Sequence, residues 1–170
     1  MTNEDIQNVI DKLQANPIRY KDYEDFKKIG LDTEYLDSGS YRYVYRLLDF
    51  PLVIKIDNYV TKHQQHSYNE YKVYKKIIES DFDSPLYPIK KHLPEIYYFQ
   101  QEEPTDDKPG FAITLMRYYQ HGMKESDTRL GPLVRLVADA VDTHTHDVRG
   151  DNVREYDGKL VIIDLGNIRI

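Results

Sequence analysis

The sequence predicts a mixed α+β domain, and three observations lead there. Apolar residues recur at helical spacing through the first thirty residues. A tyrosine-rich middle alternates strand formers with Gly and Pro punctuation. Near the end, Asp157-Gly158 separates two short apolar runs, the pattern of a tight hairpin. Runs of strands interleaved with a few helices fit an α+β arrangement better than a regular parallel one.

In chain order, Ile6, Val9, Ile10 and Leu13 share one helical face, and Asn16-Pro17 ends that helix. Tyr23, Phe26 and Ile29 mark a second short helix that stops at Gly30. Residues 34–47 read as two strands joined by the turn Ser38-Gly39-Ser40, and Asp49-Phe50-Pro51 turns the chain into a third strand, Leu52–Ile56, with Lys55 inside it. Residues 60–79 read as a helix whose apolar side holds Tyr68, Tyr71, Val73, Tyr74, Ile77 and Ile78. Residues 81–94 read as Pro-punctuated loop. Strands Ile96–Gln100 and Phe111–Tyr118 flank the acidic turn Gln101–Gly110. A helix follows over 129–143, with Leu130, Leu133, Val134, Val137 and Val141 on one face, and then the hairpin Val153–Tyr156 and Lys159–Ile163.

Composition narrows the function. A chain of 170 residues can enclose a real core, and 40% hydrophobic with 31% charged residues is ordinary for a globular protein. No apolar run approaches the ~20 residues that span a bilayer, so no membrane partner is expected. Cysteine is absent, which excludes disulfides and thiolate metal sites. Residues 1–10 carry Glu4 and Asp5 and lack a signal-peptide pattern, so a cytoplasmic location is expected. The net charge is −6 with Lys and Arg scattered, which argues against a nucleic-acid partner. The 16 tyrosines, with no tryptophan, suit half-buried faces whose hydroxyls reach water.

The most informative stretch runs from Thr143 to Val153. Asp147 is followed five residues on by Asn152, and then by a hairpin that ends in Asp164-Leu165-Gly166. This resembles the catalytic loop and metal-binding turn of protein kinases. Phosphoryl transfer asks for an oxygen acceptor beside the incoming hydroxyl and for oxygen ligands to Mg²⁺. Upstream, Lys55 in Val53-Ile54-Lys55 resembles the kinase strand lysine that contacts the α- and β-phosphates, and strand alternation puts Val53 and Lys55 on one face. By resemblance Glu70 pairs with Lys55, with Glu79 as the alternative. Residues 36–45 resemble the glycine-rich phosphate loop: Gly39 stands at the family's second glycine, Asp37 and Arg42 replace the first and third, and Ser40 lies at the turn. Leu36 and Val44 match the residues that cover adenine. Leu115–Tyr119 resembles the strand entering the interlobe hinge, with Met116 behind the adenine and the backbone of Arg117 to Tyr119, Tyr118 included, along its edge.

Taken singly, each residue has an ordinary reading. A Lys ending an apolar strand is usually at the surface, a helical Glu is usually solvated, and residues 147–152 could be a plain polar loop. Their serial order is what points to a kinase. The resemblance implies a protein-kinase-like fold with a helical preface (1–30), a β-rich N-lobe (31–119) and a rudimentary C-lobe (120–170). It implies ATP and Mg²⁺ as ligands, with Asp147, Lys55, Glu70 and Arg149 catalytic and Asn152 and Asp164 on the metal.

The resemblance covers residues 34–167 and departs from the family in places. His146 replaces the Arg that commonly precedes the catalytic Asp, Thr145 replaces a His, and Arg149 takes the position of a phosphate-steadying Lys. The activation segment and further helices of an ordinary kinase are expected to be absent. That design is similar to minimal bacterial effector kinases and phage-encoded kinase-like proteins, which implies a host or partner protein as substrate, in the cytoplasm or in a host cell. Two other readings stand beside it: a weakly catalytic binding module that inhibits a partner, and a small-molecule phosphotransferase. His144 and His146 could suggest a metal pair, but no further ligand cluster accompanies them. His63 and His66 read as surface helix residues.

Overall fold

The structure, a computed structural model, describes residues 1–16, 23–38, 42–59, 66–103, 105, 110–141, 148–166, 168 and 170. It is a mixed α+β chain that divides into two compact units, Met1–Ser67 with Glu95–Tyr118, and Tyr68–Pro94 with Tyr119–Ile170.

The first unit opens with α1 (Asn3–Ala15), capped where Thr2 Oγ1 accepts from the Asp5 amide and the Asp5 carboxylate accepts from the Thr2 amide. Helix α2 (Tyr23–Lys28) ends at Gly30, whose φ of 71° is easy only for glycine. Lys12 Nζ donates to the Gly30 carbonyl at 2.8 Å, joining the two helices. Five antiparallel strands follow: β1 (Thr33–Ser38), β2 (Arg42–Leu47), β3 (Leu52–Tyr59), β4 (Ile96–Glu102) and β5 (Gly110–Arg117). They lie in the order β1-β2-β3-β5-β4, so β3 is central. Alternation along β3 sends Leu52, Ile54 and Ile56 into a core with Val9, Leu13 and Phe26 of the helices. Val53, Lys55 and Asp57 take the opposite face and are buried as well. A central strand covered on both faces therefore reads as a nearly continuous apolar run.

In the second unit lies α3 (His66–Ile78), whose first residues, His66 and Ser67, belong to the first unit. The unit continues with a 3-10 helix (Tyr87–His92), a three-stranded antiparallel sheet of β6 (His121–Gly122), β7 (Val153–Tyr156) and β8 (Lys159–Ile162), and α4 (Leu130–Val141). Leu133 and Val137 of α4 pack with Ile77, Ile89, Val153 and Ile162 in its core. The β7–β8 turn has φ of 50° at Asp157 and 71° at Gly158, the paired positive values of a type I′ hairpin. Before α4, the Asp127 carboxylate accepts from the Arg129 amide at 2.9 Å, while the Arg129 guanidinium makes a two-pronged contact with Glu155 of β7 at 2.8 and 3.0 Å.

One local expectation changes. Residues 81–94, expected as loop, contain the 3-10 helix, because Pro88 fixes φ in its first turn while Ile89 is fully buried. Between β5 and α4 lies β6, a two-residue strand too short for any alternation to signal. The helix expected over 60–79 is described over His66–Ile78; residues 60–65 lie outside the described residues, as does the Gly39-Ser40 part of the expected turn. Among the described residues, no helix is long and apolar enough to cross a membrane.

Candidate functional site

The sheet face opposite the helical core of the first unit carries most of the residues singled out there. On β3, Lys55 lies directly between Val44 of β2 and Thr114 of β5, while Val53 lies between Arg46 and Met116. Lys55 is 5% exposed, and Val53, Thr114 and Met116 are buried as well. Leu36 lies at an irregularity of β1, where the register slips between Tyr35 and Asp37, and it is exposed. Just past β5, the amide of Tyr118 donates to the Pro51 carbonyl at 2.8 Å and that of Arg117 to the Glu95 carbonyl at 2.9 Å. Both amides are thus engaged within the unit. The Tyr118 ring lies under the Arg46 guanidinium, 4.8 Å from its centroid, and Arg46 also meets Glu34 at 3.1 Å.

The second unit brings the remaining described site residues to one end of the β7–β8 hairpin. The Ile163 amide donates to the Asn152 carbonyl at 2.9 Å, extending the ladder by one step past Val153 and Ile162. Asn152, opposite Ile163, and Asp164, one residue further on, therefore both lie at the hairpin's open end. Asp164 Oδ1 accepts from the Gly166 amide at 3.0 Å, which shapes the turn after the strand. Glu70 of α3 is 2% exposed, and its Oε1 accepts from the Leu165 amide at 3.4 Å. One turn of α3 is thus tied to the Asp164-Leu165-Gly166 segment. Arg149 is exposed, with its Nε 3.2 Å from Asp151 Oδ1. Gly150 follows it in a tight seat: its amide donates to Glu125 Oε1 at 2.8 Å, and its carbonyl accepts from the Met123 amide at 3.2 Å.

Gly39, Ser40 and Asp147 lie outside the described residues, as do His144 and His146. Among the described residues there is no group of three or more His, Asp or Glu side chains placed to hold a metal ion. Asn152 and Asp164 offer two oxygen donors.

Sequence reading missed several residues of this arrangement. Asp57 continues the Val53–Lys55 face, but the strand was expected to stop at Ile56, three residues before its end at Tyr59. Thr114, buried beside Lys55, is invisible without the β3–β5 register. Gly150 and Glu125 are joined only by tertiary contact.

No protein-family model matches this chain, and no curated protein matches it. The reading of the site therefore stands on its residues and geometry.

Proposed function

We propose that this chain is an ATP- and Mg²⁺-dependent phosphotransferase resembling a minimal Ser/Thr protein kinase, acting on a partner protein. The observation that carries the reading is the burial of charge. Among the described residues, Lys55, Asp57 and Glu70 are the charged side chains that are buried. Taking an ion out of water costs several kcal/mol even after relaxation, so such residues mark function or a well-made pair. Two of these three occupy the positions where the resemblance puts the phosphate-contacting lysine and its carboxylate.

The donor set fits both ligands. Mg²⁺ takes oxygen ligands, commonly one or two carboxylates with substrate phosphates and water, and Asn152 and Asp164 supply side-chain oxygens at one hairpin end. Val44, Val53 and Met116 offer apolar cover for a base on the face that carries Lys55. Bound Mg²⁺ supplies neutralisation of the phosphate charge. The chain's own residues do the rest. Lys55 holds the α- and β-phosphates as a compact point charge, and Glu70 keeps it oriented. Asp147 orients the acceptor hydroxyl and takes its proton as the γ-phosphoryl group passes to that oxygen and ADP leaves. Arg149 steadies the transferring group, and its exposure leaves the guanidinium able to reorient.

The test is calorimetric titration of ATP, with and without Mg²⁺, into the wild-type chain and Asp164→Ala. Mg²⁺-dependent binding that the variant loses is the expected result. Absence of binding by the folded wild type refutes the proposal. Transfer of label from ATP to protein, lost in both Lys55→Ala and Asp147→Ala, then separates an active kinase from a module that only binds.

A further inference from the structure

The third buried charge, Asp57, has no part in the chemistry above. It is fully buried and follows Lys55 by two residues, so both lie on the same face of β3. Its Oδ2 accepts from the Ser67 amide at 2.5 Å, and its Oδ1 accepts from the Ser67 hydroxyl at 2.7 Å and from Arg42 Nε at 3.3 Å. Ser67 is the second residue of α3, where amides have no partner inside the helix. Asp57 thus caps α3 from a neighbouring strand, with its charge against the positive end of the helix. Arg42 is the first residue of β2. One carboxylate therefore joins the central strand, the start of β2 and the start of α3.

We infer that Asp57 is a positioning residue for the nucleotide site, an inference that rests on the phosphotransferase reading. Ser67 and Glu70 are three residues apart on α3 and lie on neighbouring positions of one helix face. Fastening Ser67 to Asp57 fixes the first turn of α3 to the strand that bears Lys55. Through Arg42 the same carboxylate anchors the start of β2, two residues before Val44, which flanks Lys55. Arg42 stands where the kinase resemblance expects the third glycine of the phosphate loop. Its side chain pairs with Asp57, so at this position the chain carries a strut in place of a glycine. Stiffness lost elsewhere to a flexible glycine is here supplied by a buried ion pair whose remaining lone pairs are satisfied by Ser67.

The test uses the full chain and two readouts: Mg·ATP affinity by calorimetry, and amide hydrogen exchange over residues 66–70. The variants are Asp57→Asn, Ser67→Ala, Arg42→Gly and Arg42→Lys. Asp57→Asn and Ser67→Ala are expected to speed exchange in the first turn of α3. Asp57→Asn and Arg42→Gly are expected to weaken Mg·ATP binding at least ~10-fold, with partial recovery in Arg42→Lys, since small misplacements of binding groups are costly. Arg42→Gly binding as tightly as wild type or tighter overturns the strut. Asp57→Asn with faster exchange but wild-type affinity reduces Asp57 to a helix cap and overturns its positioning role. If Asp57→Asn does not fold, Ser67→Ala and Arg42→Gly carry the same comparison. A wild-type chain that binds no Mg·ATP brings down the phosphotransferase reading first, and this inference with it.

Discussion

Replacing Gly150 by alanine tests the packing of the candidate catalytic loop most directly. A Cβ built on Gly150 would lie 2.5 Å from the Met123 carbonyl oxygen and 3.2 Å from both the amide nitrogen and Oε1 of Glu125. The first contact is about 0.9 Å inside ordinary van der Waals distance, and its partner is backbone, which cannot rotate away as a side chain would. Overpacking of this kind costs about 1–3 kcal/mol. Shifting the loop also strains the bond from the Gly150 amide to the Glu125 carboxylate, and bonds to charged groups contribute about 1.5–3 kcal/mol. Allowing for overlap between the two, Gly150→Ala should destabilise the chain by about 2–4 kcal/mol, or roughly 5–15 °C in Tm at this size. With no tryptophan and 16 tyrosines in the chain, urea unfolding followed by circular dichroism and tyrosine fluorescence is the natural assay. A Gly150→Ala protein within about 0.5 kcal/mol of wild type would refute the argument, because changes that small are typical of unconstrained surface sites.

Other substitutions probe different forces. At Gly158 nothing lies within 4 Å of a Cβ but φ is 71°, so Gly158→Ala should lose about 1–2 kcal/mol through backbone handedness alone, read from the urea midpoint. Phe26→Ala removes a fully buried ring that packs 5.1 Å from Tyr45 and docks α2 on the sheet; the expected loss is about 3–5 kcal/mol by the same measurement. His92 is half-buried and donates through Nδ1 to the Leu160 carbonyl at 2.8 Å. Burial holds its pKa below the ordinary 6.5, against the pull of that carbonyl and with help from Lys91. With the folded value depressed, the unfolded chain binds the proton first, so stability is full above pH 6.5 and falls as pH drops through the folded value. Urea midpoints across pH 7.5 to 5 should fall less steeply with decreasing pH in His92→Gln than in wild type; identical pH profiles would sink the assignment.

Much of the fold was legible in local sequence. The 3.6-residue spacing of Val9 and Leu13, the alternation through Leu52–Ile56 and the Asp157-Gly158 turn each act over a few residues, and each produced the expected element. The candidate site was legible only as a list. Sequence alone could name Lys55 and Glu70, but by their types both belong at a surface. Tertiary structure decided that both are buried, that Asp57 is buried on the Lys55 face of β3, and that Asn152 and Asp164 lie at one end of the hairpin. It also decided which glycine is indispensable by close approach, since Gly150 reads in sequence like any loop glycine. The division has one physical cause. Helical and strand periodicities and turn dihedrals are set by neighbours along the chain, and so they are written in adjacent residues. Burial of a charge, a cap donated by a distant strand and the seating of a loop are set by atoms that meet only after the chain has folded.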